Sequence, residues 1–105
     1  MDVHDVNEVT VIDILNDECQ SLLRTVDPIL AGGRRAFVIN MAQATFLNSV
    51  NIAAIIATRN KIAASNGKVA VCNLNHNIKA VFRILKLERL FNLDLDLDGA
   101  LKAAK

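Results

Sequence analysis

Tryptophan and tyrosine are absent, and phenylalanine occurs only four times. The core must therefore be built from Val, Ile, Leu and Ala, and so few aromatics argue against stacking platforms for single-stranded nucleic acid. A charge excess is lacking too. Twelve Lys/Arg against eleven Asp/Glu leave a formal charge of +1, which gives no general attraction to nucleic acid or acidic lipid. No apolar run reaches the roughly 18 residues needed to span a bilayer. The acidic opening MDVHDVNEVT has no apolar stretch of the kind a signal peptide requires. Only two cysteines occur, Cys19 and Cys72, in different expected elements. Both read as reduced, small hydrophobic residues of a cytoplasmic protein.

Catalytic and cofactor motifs are also missing. Ser49 sits where a strand should hand over to a helix, but Leu47 and Asn51 stand where the strained G-x-S-x-G elbow of hydrolases has glycines. A triad needs a base, and the only histidines are His4, near the N-terminus, and His76, at an expected helix start. Positions 4, 19, 72 and 76 match no zinc spacing. Gly32-Gly33-Arg34-Arg35 lacks the G-K-[ST] of a phosphate loop. Asp94, Asp96, Asp98 and Gly99 begin like a calcium loop, but its twelfth position, which must be a bidentate Glu, is Lys105. These absences point away from an enzyme, and no cofactor or metal is expected.

What is present is 105 residues, 52% of them apolar and 22% charged, enough for one domain spanning residues 1–105 with a core that needs no staples. Val3 and Val6, then Val9 to Leu15, predict a β-hairpin turning at Asn7-Glu8. Cys19, Leu22, Leu23, Val26, Ile29 and Leu30 recur at helical spacing after Asn16 or Asp17 as a cap. Pro28 means either a kink or a new turn capped by Asp27, and Gly32-Gly33 ends the element. Ala36–Met41 and Lys68–Leu74 read as strands buried on both faces. A helix runs from about Val50, with Ile52, Ala53, Ile55, Ile56, Ile62 and Ala63 inward, to Asn66-Gly67. Another runs from about Asn77 to Leu87, with Ile78, Val81, Phe82 and Leu85 inward and Lys79, Arg83 and Lys86 outward. Phe91–Leu97 reads as a last extended segment, and Asp98 opens a short helix. Strands alternating with helices predict a small, mostly parallel sheet with right-handed crossovers, made mixed by the leading hairpin.

The stretch TFLNSVNIAAI places two polar residues, Asn48 and Ser49, at the joint between strand and helix. Asn48 or Ser49 can cap the helix, a contribution of about 1 kcal/mol. The other is then to spare, at the carboxyl edge of an open α/β sheet, where binding sites collect.

VINMAQATFLNSVNIAAI resembles the STAS domains of bacterial anti-sigma factor antagonists. In these a hydrophobic-D-L-S/D strand leads through V-T-F-x-D-S-S-G-L into a helix. VTVIDIL is similar to the family's early strand, GRRAFVINM to its central strand, and NGKVAVCNLNHNIKAVFRILKLERLFNL to its closing part. The resemblance implies an α/β fold with a small mixed sheet and helices packed against it. It also implies a protein-binding regulator, monomeric or weakly dimeric. Its partner would be an anti-sigma factor and serine kinase of the histidine-kinase-like ATPase type. Ser49 falls on the serine that the family's partner kinase phosphorylates, and Asn48, Val50 and Asn51 are expected to share its surface and bind the partner. Asn48 replaces the family's aspartate, Val50 its second serine, Asn51 its glycine and Ala53 a second glycine. The segment Leu15-Asn16-Asp17 is shorter than usual. Lys79, Arg83 and Lys86 read first as a solvated face, and second as the border of a partner site. The alternative implied is a STAS module that does not switch, in a stressosome scaffold or as an accessory subunit of a phospholipid transporter.

Overall fold

The expected alternation of strands and helices is realised as a four-stranded mixed sheet with helices on both faces. The computed structural model describes residues 1–105, apart from the side chains of Asn16 and Asp17. Strands β1 (Asp2–Val6), β2 (Val9–Asp13), β3 (Ala36–Asn40) and β4 (Lys68–Cys72) lie in that spatial order. β1 pairs antiparallel with β2, with Asp2 opposite Asp13 and His4 opposite Val11. β2, β3 and β4 are parallel, Asp13 standing beside Asn40 and Asn40 beside Cys72. The hairpin turns at Asn7-Glu8 as expected, and Asn7 takes the left-handed conformation (φ 56°) that asparagine tolerates best among residues with a side chain.

Side chains alternate across the sheet, and each face has its own core. Ile12, Ile14, Phe37, Ile39 and Val71 are buried against Leu22, Val26 and Leu30 of α1 (Leu22–Ala31), Ile52, Ile55 and Ile62 of α2 (Ser49–Ala64), and Ile78 and Phe82 of α3 (His76–Ile84). On the other face Val9, Val11, Val38, Ala70 and Cys72 lie under Ala100 and Ala104 at α4 (Leu97–Ala103). The small side chains on this second face let a seven-residue helix approach closely enough to cover it.

The first crossover departs from expectation. A 3-10 helix, Asn16–Ser21, precedes α1, which begins only at Leu22. The expected caps Asn16 and Asp17 lie outside the described side chains. Pro28 sits inside α1, so Asp27 does not start a new turn. Both residues are exposed, and the backbone bond that proline removes is lost on the solvent side, where the cost is least. α1 ends as its glycines predict. Gly33 has φ +103°, and the amides of Gly33 and Arg34 close on the carbonyls of Leu30 and Ile29.

α2 ends in the same motif with different residues. Asn66 takes the left-handed position (φ 65°) and donates to Ala63, while the Gly67 amide donates to Ile62 at 2.9 Å. Gly67 is required by space. A Cβ there would stand 2.7 Å from the carbonyl oxygen of Arg35 and 2.7 Å from Cγ2 of Ile62. Gly67→Ala therefore forces β4 away from the start of β3 and is expected to cost about 1–3 kcal/mol, read as a lower urea midpoint with unchanged slope. An unmoved midpoint would mean that the turn yields freely.

Two further expectations are corrected. α3 stops at Ile84, because Lys86 turns left-handed (φ 61°). Leu85 is therefore 51% exposed instead of facing in. Phe91–Leu97 is not a strand, since β4 remains at the sheet edge. It is a looped segment whose alternating Phe91 and Leu93 are buried in the larger core. Its aspartates have separate tasks. Asp94 receives Lys79 and Arg83 at 3.3 and 3.5 Å. Asp96, rather than Asp98, caps α4 by accepting from the Gly99 amide at 2.8 Å.

Candidate functional site

The carboxyl ends of the parallel strands are tied together by one amide. Nδ2 of Asn40 donates to Oδ1 of Asp13 at 2.8 Å. Oδ1 of Asn40 accepts from the Ala42 amide at 3.1 Å and from Nδ2 of Asn73 at 3.0 Å. The Cys72 thiol lies 3.6 Å from the same oxygen. Burial pushes that thiol up to about 11, with the carboxylates of Asp13 and Asp96 adding to the effect. It stays protonated near neutrality, which disfavours Cys72 as a nucleophile.

From Asn40 the chain runs through a loop anchored by buried Met41, Ala44 and Leu47. Asn75 holds the loop from the neighbouring crossover. Its Nδ2 donates to the carbonyls of Ala44 and Thr45 at 3.2 and 2.7 Å, and its Oδ1 caps α3 on the Ile78 amide at 2.9 Å. One side chain thus fixes the entry to α2 relative to the start of α3. The sequence reading passed over it, although an asparagine two residues after another, ahead of an apolar helix, is a legible cap signal.

The question at the joint is resolved by the backbone. Asn48 is the N-cap residue, in extended conformation, and its Oδ1 accepts from the Asn51 amide at 2.8 Å. Ser49 is then the first helical residue, and it is exposed. Val50 beside it is 55% exposed. Asn51 corrects the expectation of a shared surface. It is 4% exposed, because the third helical position turns inward toward the sheet when the cap is at 48. Asn48, Ser49 and Val50 are presented to solvent, and the side chain of Asn51 is not.

Two features of the surroundings were not anticipated. Phe46 is 60% exposed, and with Leu47, Ile52, Asn77, Ile78, Val81 and Phe82 it borders a small apolar hollow of about 170 Å³ between the loop and α3. Between Arg35 and Arg59 the chain carries no Asp, Glu, Lys, Arg or His. The surface that α2 offers around Ser49 is therefore free of charge from its own segment. A count of ionisable residues along the chain reveals this without a structure. Lys79 and Arg83 both bond Asp94 within their own domain.

A crystal structure of a Thermotoga maritima protein assigned to the anti-sigma factor antagonists superposes with a TM-score of 0.83 at 18% identity, covering 98% of this chain and 92% of that one. An anti-sigma factor antagonist from Mycobacterium paratuberculosis gives 0.77 at 25% identity, over 97% and 90%. A chain of the stressosome, described as a signal integration and transduction hub, gives 0.75 at 14% identity, over 96% and 93%. The family model of the STAS domain matches residues 5–100, and the chain belongs to that family.

Proposed function

We propose that this chain is a regulatory, protein-binding domain of the anti-sigma factor antagonist type, switched by phosphorylation of Ser49. The reading rests on one observation: Asn48 performs the capping, which leaves an exposed hydroxyl on the first residue of α2 without that duty. The partner is an anti-sigma factor and serine kinase of the histidine-kinase-like ATPase type, met in the cytoplasm by a monomer or weak dimer. In the transfer, the Ser49 oxygen attacks the γ-phosphorus of ATP, ADP leaves, and the hydroxyl proton passes to a base of the kinase. The product brings a charge of about −1.5 to −2 and three acceptor oxygens to a segment that has no charge of its own. At a helix N-terminus such an anion is favoured locally. The switch therefore acts on the docked partner and leaves the domain folded. Asn48, Val50 and the exposed Phe46 form the surface around the hydroxyl, and Phe46 is the one phenylalanine of four that the fold leaves outside.

The alternative is a module that binds constitutively, in a stressosome scaffold or as an accessory subunit of a phospholipid transporter. The replacement of the family's aspartate and glycine by Asn48 and Asn51 favours it. Incubation with the cognate kinase and ATP, followed by intact mass, separates the two. The switching reading expects one added phosphoryl group, lost in Ser49→Ala, which still binds the partner. An unchanged mass with binding retained, or a large particle in a size measurement, selects the scaffold.

A further inference from the structure

We propose that Asp2, His4 and Asp13 form a surface site for a divalent transition-metal cation, a site that does not depend on phosphoryl acceptance at Ser49. Asp2 and His4 are two residues apart on β1 and so share a face. The antiparallel register sets Asp13 of β2 directly opposite Asp2. Nδ1 of His4 stands 3.4 Å from Oδ2 of Asp2 and 3.8 Å from Oδ2 of Asp13, and the three ligand atoms all lie within 4.8 Å of one another. Ligand atoms about 2.0–2.2 Å from one tetrahedral ion are separated by about 3.3–3.6 Å. Small side-chain adjustments would thus bring all three onto a single cation.

Like charges directly opposite on paired strands are destabilising, and among the described residues the two aspartates meet His4 but no Lys or Arg. Asp13 is also held as a ligand would be. Its Oδ1 accepts from Nδ2 of Asn40, a residue outside the cluster, and Oδ2 is the oxygen turned toward His4. A ligating carboxylate is commonly held by an outer hydrogen bond of this kind. One imidazole with two carboxylates suits zinc, nickel, cobalt or manganese better than calcium, which takes six or more oxygens. Binding requires neutral His4, with its proton on Nε2.

His76, exposed on the first turn of α3, provides an internal reference, because it and His4 are the only histidines. Untagged protein is titrated with Zn²⁺ and, separately, with paramagnetic Mn²⁺ while imidazole and backbone NMR signals are followed. The His4 ring and the Asp2 and Asp13 amides should shift with Zn²⁺ and broaden with Mn²⁺ well before His76 responds. Asp2→Asn, on an exposed side chain, and Asp13→Asn should each raise half-saturating Zn²⁺ at least about tenfold, or 1.4 kcal/mol. His4 and His76 responding together, or half-saturation within twofold of wild type in both variants, marks adventitious binding and overturns the site.

Discussion

Ser49→Asp is expected to weaken the complex with the cognate partner by about tenfold or more, which is 1.4 kcal/mol, while leaving the fold as stable as before or slightly more so. The two halves of this result have different origins. A carboxylate on the first helical residue meets the positive end of the α2 dipole, a gain of about 0.3–1 kcal/mol where exposed. Ser49 is exposed and Asn48 retains the cap, so no hydrogen bond of the fold is given up. At the docked surface the sign reverses. The segment from Ala36 to Thr58 has no ionisable side chain, and a partner fitted to a neutral surface must desolvate the new carboxylate or stand away from it. Ser49→Asn, neutral and close in size to aspartate, should keep most of the affinity. Calorimetric binding and thermal unfolding on the three proteins separate the effects. A large fall in melting temperature for Ser49→Asp would place the hydroxyl in the fold, and equal losses in Asp and Asn would make bulk rather than charge the cause.

How far the sequence could be read depended on how local the deciding interaction is. β3 and β4 were legible because AFVIN and KVAVC are short apolar runs that only a strand covered on both faces can bury. The start of α2 was legible because tandem Asn48 and Ser49 precede the helical spacing of Ile52, Ile55 and Ile56, but the residues before it, 41–48, form a loop and not the strand expected to hand over there. Asn51 was misjudged for want of one fact, which residue caps. With the cap at 48 rather than 49, residue 51 turns inward. Leu85 fits the helical stripe of α3 and fails only because the backbone reverses at Lys86, which nothing in the spacing announces. Leu93, Leu95 and Leu97 alternate with aspartates as a strand would, but Asp96 spends its side chain on the α4 cap and Asp94 on two cations of α3. Partners distant in sequence decide such segments. The same is true of Asn75, whose hold on Ala44 and Thr45 spans about 30 residues.

The largest loss of stability is expected at Phe82. Its side chain is fully buried, and its ring meets that of Phe91 at a centroid distance of 6.1 Å and an angle of 41°, within the range of favourable aromatic pairs. Phe82 also forms part of the wall of the hollow beside Phe46. Truncation to alanine removes the ring's burial and its partner, and enlarges a space that the packed sheet cannot close. The expected cost is about 3–5 kcal/mol, a large share of the roughly 5–15 kcal/mol that holds a domain of this size together. With a urea slope of about 1–3 kcal/mol per molar, the midpoint should fall by more than about 1 M. Phe46→Ala is the matched control. It deletes the same ring from a side chain 60% exposed, and should cost about 1 kcal/mol or less. If both variants lost stability equally, Phe46 would be a core residue and could not serve as an outward anchor beside Ser49. If Phe82→Ala cost under 1 kcal/mol, α3 would not be held by its aromatic contact. The hollow would then be slack packing rather than a surface kept in shape by the ring beneath it.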